Sequence, residues 1–248
     1  MASTRVRIDK ALADAGLVQS RSRARDLILN GKVSIDGVTV PKADFRIHLE
    51  QLDLIQIDDH GWVSRAALKL VHALDHFSVD PAGKNCLDLG ASTGGFVEVL
   101  LERDAASVTA VDVGQGQMVE KIRSDPRVKN YENLNVKDLS NSPVEGPFNL
   151  ITSDLSFISL KKALPAALVL AADNAVFLGL IKPQFEVGKG RLGKGGLVLA
   201  EMLHQEVCQD IKQWLEAQPG WSVSGLTSSP IVGGDGNKEF LIAGRYEA

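Results

Sequence analysis

Residues 180–190 read LIKPQFEVGKG: an apolar run ends in a lysine, and a proline follows at once. Proline drives the residue before it into extended geometry. Lys182 is therefore predicted to be the last residue of a buried strand, its amine beyond the sheet edge. Such a lysine can hold an anion or, when neutral, accept a proton. Asp154 closes a second apolar run, FNLITSD, and Glu239 opens a third, EFLIAGRYE. Arg65, Lys69, His72 and His76 stand at i, i+4, i+7 and i+11 in VSRAALKLVHALDHF, one polar stripe on a predicted helix whose other face is Ala67, Val71 and Leu74. Spacing alone leaves that stripe as readily solvated as functional.

The segment LDLGASTGGF reads strand, glycine-rich turn, helix. Gly90, Gly94 and Gly95 let backbone approach a ligand, and the helix start offers unpaired N–H donors. Asp112 ends the next strand, SVTAVDV, about twenty residues on, where an acidic side chain can accept the ribose hydroxyls of an adenosine. The GxGxxG spacing of dinucleotide sites is absent.

These residues need a scaffold that gathers them. From residue 64 the pattern alternates helix and strand: NCLDLG, SVTAVDV, residues 128–131, FNLITSD and AVFLGLIK read as strands. Helices are predicted over VSRAALKLVHALDHF with Ser64 as cap, GGFVEVLLERD, GQMVEKIRS, residues 160–171 and residues 197–217. WSVSGL and EFLIAGRYE follow as consecutive strands, which implies one antiparallel strand in a mostly parallel sheet. Ligands bind at the carboxyl edge of such a sheet. Asp154 and Lys182 end strands there, and Glu239 starts an antiparallel one, so topology alone brings the three to one rim.

The 248 residues carry a net charge of −4, yet residues 1–48 hold nine Lys or Arg against five Asp or Glu, a net of +4 that leaves −8 for the rest. That asymmetry suggests a basic module joined to a more acidic one. In the first, Ile8, Leu12 and Ala15 keep helical spacing before Gly16. A second helix starts at Ser20 and runs to Gly31, and KVSIDGVTV is a hairpin about Asp36-Gly37, with a further strand near residues 52–57. The turn at Asp58-Asp59-His60 closes the module. Cys86 and Cys208 form no CxxC pair, so a reducing compartment, the cytoplasm, is expected. Residues 163–181, the most apolar stretch, contain Pro165, Asp173 and Asn174 and do not form a bilayer span. The N-terminus lacks the apolar core of a secretory signal.

RIDKALADAGLVQSRSRARDLILNGKVSIDG resembles the S-four-type (αL) RNA-binding domain. The resemblance implies RNA binding by a short arginine-bearing helix edge that reads shape. The residues assigned to RNA are Arg5, Arg7, Lys10, Arg21, Arg23, Arg25 and Lys32, with Arg65 and Lys189 further on. DLGASTGGF resembles the S-adenosylmethionine turn of class I methyltransferases. It implies a cofactor site of Asp88, Gly90, Ala91, Ser92, Gly94, Gly95, Phe96 and Asp112, with Asn135 and Val136 near the adenine. WVSRAALKL, LDLGASTGGF, SDLSFISL, IKPQFEVGK and GNKEFLI, in this order, resemble the TlyA (hemolysin A) family of ribosomal RNA 2′-O-methyltransferases, relatives of the FtsJ-type enzymes. That resemblance implies a catalytic tetrad of Lys69, Asp154, Lys182 and Glu239, no metal, S-adenosylmethionine as methyl donor, and ribosomal RNA or ribosomal subunits as partner, with cytidine the methylated nucleoside.

The expected fold is an α/β, Rossmann-like class I methyltransferase domain with a seven-stranded, mostly parallel sheet over residues 65–248. An α+β RNA-binding domain over residues 1–59 precedes it, joined by a linker at 60–64. A ribose 2′-hydroxyl attacks only once its proton leaves, and Lys182 is the expected base or orienter, Asp154 and Glu239 holding the two lysines. EVGKGRLGKGG, with Lys189, Arg191 and Lys194, reads as a basic lid or as a plain surface loop. Base N-methylation is disfavoured because the fourth strand runs into DLSF and not an NPPY-like turn. Cytosine C-methylation is disfavoured because neither cysteine falls at a strand's carboxyl end. The rival functions are a non-catalytic ribosome-binding protein and a membrane-active hemolysin, the latter opposed by the missing span. A monomer and a dimer both fit the sequence.

Overall fold

The computed structural model describes residues 5–18, 20–29, 31–57 and 61–248, with the side chains of residues 26 and 189 outside that description. The chain forms two compact units, Met1–Gly61 and Trp62–Ala248.

In the first unit, β1 (Val6–Arg7) leads into α1 (Ile8–Asp14), and α2 (Arg21–Leu29) follows. The chain leaves α1 through Gly16 at φ +69°, and the Ser20 hydroxyl caps α2 by accepting the Arg23 amide at 3.1 Å. Strands β2 (Val33–Ile35) and β3 (Val38–Thr39) pair across Asp36 and Gly37, both at positive φ as a tight primed turn requires. Strand β4 (Arg46–Ile47) pairs with β1, and β5 (Ile55–Ile57) with β2. The strand predicted from residue 52 begins only at Ile55, because a 3₁₀ segment, Leu49–Leu54, takes up the residues before it. Ile8, Leu12, Leu27, Ile28, Val33 and Ile47 form the core. The predicted turn at Asp58-Asp59-His60 lies outside the described residues.

The second unit runs α3 (Ala67–His76), β6 (Asn85–Leu89), α4 (Gly95–Glu102), β7 (Ser107–Val111), α5 (Glu120–Arg123), β8 (Val128–Tyr131) and β9 (Phe148–Ser153). It continues with α6 (Leu160–Ala163), α7 (Pro165–Leu168), β10 (Ala171–Ile181), α8 (Pro183–Glu186), α9 (Glu201–Glu216), β11 (Trp221–Ser228) and β12 (Phe240–Tyr246). Seven strands form one sheet in the order β11-β12-β10-β9-β6-β7-β8. β12 runs antiparallel to both its neighbours, and the other pairings are parallel. Side chains of β10 alternate between two cores: Val176, Leu178 and Leu180 join α3 and α4 on one face, while Phe177 and Ile181 join α6, α7 and α9 on the other. Burying a side chain such as Phe177, 1% exposed, contributes about 1.5–3 kcal/mol.

Three predicted helices differ in form. The one at residues 160–171 is two short helices, because Pro165 lacks an N–H and its ring crowds the preceding turn. The one in GQMVEKIRS is a single turn, α5. Ser64 precedes α3 by a turn: its Oγ accepts the Ala66 amide and its carbonyl the Ala67 amide.

Candidate active site

Four side chains meet at the carboxyl edge of this sheet. Lys182 follows β10 in extended geometry, φ −111° and ψ 99°, with Pro183 opening α8 behind it. Its Nζ lies 2.6 Å from Asp154 Oδ1 and donates to Ser156 Oγ at 2.9 Å. Asp154 directly follows β9, and its amide donates to the Leu89 carbonyl, which fixes it beside the turn after β6. Glu239 precedes β12. Because Ile181 pairs with Phe240 in the antiparallel register, Glu239 stands beside Lys182 at the strand ends.

Lys69 completes the group, its Nζ 2.6 Å from Glu239 Oε2 and 3.5 Å from Asp154 Oδ2. Lys69, Lys182 and Glu239 are 6%, 8% and 4% exposed. Two amines and two carboxylates balance in formal charge, which is what lets four ionisable groups share so dry a place. The predicted polar stripe, whose Arg65 falls just ahead of α3, is therefore not a solvated face. Lys69 is buried, Arg65 and His72 are half-buried, and only His76 is exposed.

The turn after β6 abuts this group. Gly90 sits at φ +86°, and a Cβ there would meet the Asp154 carbonyl oxygen at 2.8 Å, so only glycine allows the approach. Gly94 serves packing: at φ +97° it starts α4, and a Cβ would fall 2.9 Å from Ile122. Beside the turn opens a cavity of about 560 Å³, lined by Gly90, Ser92, Asp112, Asn135 and Val136 among others. A smaller cavity of about 170 Å³ shares Gly90, Ser92, Asp154 and Ser156 with it and adds Ala91, Gly95, Phe96 and Lys182. Together they link the nucleoside-sized space to the tetrad.

Asp112 accepts the Ser92 amide at 2.8 Å and the Gly114 amide at 2.7 Å, two of the roughly four lone-pair sites a carboxylate has. The remaining sites fit ribose hydroxyls, and Val113, Val136, Leu155 and Ile158 offer apolar walls for a base. The cavity's size falls within the range of about 300–1,000 Å³ for small-molecule sites. Asp88 does not line either cavity. It is 1% exposed beneath the turn, with Oδ1 accepting the Thr152 hydroxyl at 2.7 Å and Oδ2 unpartnered. Burial pushes its carboxyl up to about 7, against the pull of the Thr152 bond.

Sequence reasoning missed the loop after Asp154. Leu155, Ser156, Phe157 and Ile158 all line the larger cavity, and Phe157, 90% exposed, stacks obliquely on Phe185. The signal was present: the edge rule that selected Asp154 applies to the whole loop it begins. Val113, Gln117 and Lys137 were missed as lining too.

The basic residues divide. Arg7 and Arg21 clasp the fully buried Asp9, each at 3.0 Å, and the Arg7 bond holds that carboxyl below its ordinary range. Arg5 donates to His48, while Lys10 and Arg25 are exposed and Arg23 is half-buried. Arg65 lies against Gly234 in the second unit. The Lys189 side chain lies outside the described residues. In the glycine-rich segment Arg191 pairs with Glu206; just beyond it the Val198 amide donates to Asn237 and the Val198 carbonyl bonds the His204 ring. Among the described residues no set of three or more His, Cys, Asp or Glu could hold a metal ion, and no described helix is long and apolar enough to cross a membrane.

A seven-stranded sheet of this order, with a glycine turn after its first strand and an acid after its second, is the fold of the class I methyltransferases. The chain belongs to the FtsJ-like methyltransferase family, which it matches over residues 62–246, and it matches the S4 domain over residues 6–52. It is 43% identical over 239 residues to the 16S/23S rRNA (cytidine-2′-O)-methyltransferase TlyA of Mycobacterium tuberculosis, a match covering 96% of this chain and 89% of that one. It is 36% identical over 239 residues to Hemolysin A of Brachyspira hyodysenteriae, covering 95% and 98%. A solved structure from Streptococcus thermophilus superposes with a TM-score of 0.74 at 34% identity, covering 99% of this chain and 90% of that one.

Proposed function

We propose that this chain transfers a methyl group from S-adenosylmethionine to a ribose 2′-hydroxyl of ribosomal RNA, with cytidine as the acceptor nucleoside, in the cytoplasm. The observation that carries the reading is Lys182 Nζ standing 2.6 Å from Asp154 at the wall shared by the two cavities. The relatives' names supply the substrate class.

Asp112, the Gly90 turn and the apolar walls would hold the donor, which when bound would supply an electrophilic methyl on a sulfonium. The chain supplies the rest. Lys182 orients the acceptor hydroxyl, and only its neutral amine, with a free lone pair on Nζ, takes the hydroxyl's proton. Asp154 fixes that amine and sets negative charge near the cationic donor. Lys69, tied to Glu239, holds the other Asp154 oxygen and turns the carboxylate toward Lys182. Holding acceptor and donor in line contributes most of the acceleration, on the order of 7–11 kcal/mol at best. Phe157, exposed at the mouth, offers a ring on which a nucleobase can stack. The basic surface of the first unit adds affinity through phosphate contacts without reading sequence.

The test is to map 2′-O-methyl groups on ribosomal RNA incubated with purified protein and S-adenosylmethionine. New cytidine 2′-O-methyls are expected. A base-methylated product, or none on either subunit's RNA, overturns the reading.

A further inference from the structure

Segment 154–160, which lines the larger cavity and holds Lys182, is fastened at its far end by a residue outside the tetrad. Glu186, the last residue of α8, accepts the Ser159 hydroxyl on Oε2 at 2.6 Å and the Leu160 amide on Oε1 at 2.8 Å. It lies four residues beyond Lys182, on the same short helix that carries Phe185. The two segments therefore run together along their lengths. Asp154 and Ser156 meet Lys182, Phe157 meets Phe185, and Ser159 and Leu160 meet Glu186.

We infer that Glu186 is a positioning residue: it latches the 154–160 loop to the segment after Lys182 and so sets the Asp154–Lys182 geometry from the opposite end. The inference rests on the methyltransfer reading and deepens it.

Three observations support a latch over an ordinary surface contact. First, Phe157 sits at φ +64°, a backbone region L side chains avoid, and such residues persist only where the surroundings over-determine them. The Lys182 contacts on one side and the Glu186 bonds on the other supply that constraint. Second, the carboxylate is half-buried, and burial pushes its pKa up. The two bonds and Lys161 act against that penalty without cancelling it, so the carboxylate is held there by its partners at a cost in burial. Third, both Glu186 oxygens serve the start of α6, where Ser159 makes no cap hydrogen bond of its own. The turn of the loop into α6 is thus held from α8.

The experiment compares full-length wild type, Glu186→Ala, Glu186→Gln and Ser159→Ala by two readouts. The first is amide hydrogen exchange without RNA. Glu186→Ala should speed exchange at Leu160 and through residues 155–159 by more than about tenfold, leaving β6 and β10 unchanged, as expected for a local opening. Glu186→Gln keeps an oxygen for the Leu160 amide and an amide that can meet Ser159, so it should restore protection. The second readout is steady-state methyl transfer. Glu186→Ala should lower kcat on the order of 10²-fold, the cost of a small misplacement of reacting groups, with a much smaller change in KM for RNA. Glu186→Gln should stay near wild type.

Unchanged loop exchange in Glu186→Ala overturns the latch, as does loss of activity only in proportion to unfolded protein. If Glu186→Ala does not fold, Ser159→Ala, which deletes one of the two bonds, must show the same changes in smaller measure, or the inference fails. Exchange is independent of turnover. A wild type that shows the latch but never methylates ribosomal RNA would sink the proposed function and leave the latch standing.

Discussion

Asp154 divides its carboxylate between two lysines, Oδ1 to Lys182 at 2.6 Å and Oδ2 to Lys69 at 3.5 Å. Lys69 in turn gives its closer contact, 2.6 Å, to Glu239. The arrangement is asymmetric, and under the proposed function it gives the two lysines separate duties. Lys182 borders the smaller cavity, whereas Lys69 lines neither cavity.

Lys182→Ala should therefore slow chemistry and spare binding. A positioned proton acceptor contributes on the order of 10²–10⁴ in rate. A loss in that range is expected in kcat, with KM nearly unchanged, as for a group acting only at the transition state. Methyl transfer to ribosomal RNA, followed alongside direct S-adenosylmethionine binding, checks it. Retained turnover would remove Lys182 from the mechanism.

Lys69 should matter for stability as well. Replacing it with Met leaves Glu239 buried without its cation, and breaking a buried pair costs about 3–5 kcal/mol. Converting Glu239 to Gln in the same protein should recover much of that loss, because the uncompensated charge is gone. Urea unfolding of the two single variants and the double provides the cycle. Additive losses would show that the pair is not coupled.

Asp88 should make stability depend on pH in a direction opposite to most carboxylates. Its pKa is raised from 3.8 to about 7 by burial. The folded state therefore holds this proton more tightly than the unfolded chain does. Stability is highest below the unfolded value and falls as pH rises from about 4 to about 7, by on the order of 4 kcal/mol at the most. Asp88→Asn keeps the oxygen that accepts from Thr152 and does not titrate. Relative to wild type it should gain stability across that window. Parallel pH profiles of unfolding free energy for the two proteins would contradict this account.

In the first unit, Arg21 and Arg25 should separate by salt and by heat. Arg25 is exposed, so Arg25→Ala should lower RNA affinity and reduce the slope of log K against log salt by about one, with little change in melting. Arg21→Ala should weaken RNA binding and also melt earlier, since it withdraws one of two guanidiniums from buried Asp9. Filter binding across a salt series, paired with calorimetry, measures both. Equal melting for the two variants would mean Asp9 needs only Arg7.

The tetrad was legible to different degrees, for physical reasons. Lys182 announced itself because proline constrains its neighbour locally, and the observed backbone at Lys182 obeys that constraint. Asp154 and Glu239 needed only topology: strand direction decides which end of a strand meets the ligand edge. Lys69 was different. Helical periodicity placed it on a polar stripe with Arg65 and His76, and a stripe faces water unless partners cover it. Its partners, Asp154 and Glu239, arrive from remote strands that no local pattern encodes; family resemblance identified it, and spacing did not. Gly94 and Asp88 show the converse limit. Their types match a ligand turn, yet Gly94 packs on Ile122 and Asp88 bonds Thr152, because a tight turn must be packed underneath as well as open above. Glu186 was quoted in a motif but passed over, since its use depends on where two separate loops meet.

The antiparallel insertion of β12 has an order-of-assembly consequence. Glu239 reaches Lys69 only after the final strand has slotted between β10 and β11. Until then Lys69 and Lys182 share the single carboxylate of Asp154, a cluster with one positive charge too many. A nascent chain lacking that strand would carry the glycine turn but an over-charged, repelling rim. Seating β12 in the sheet and balancing the charge of the rim are thus one and the same event.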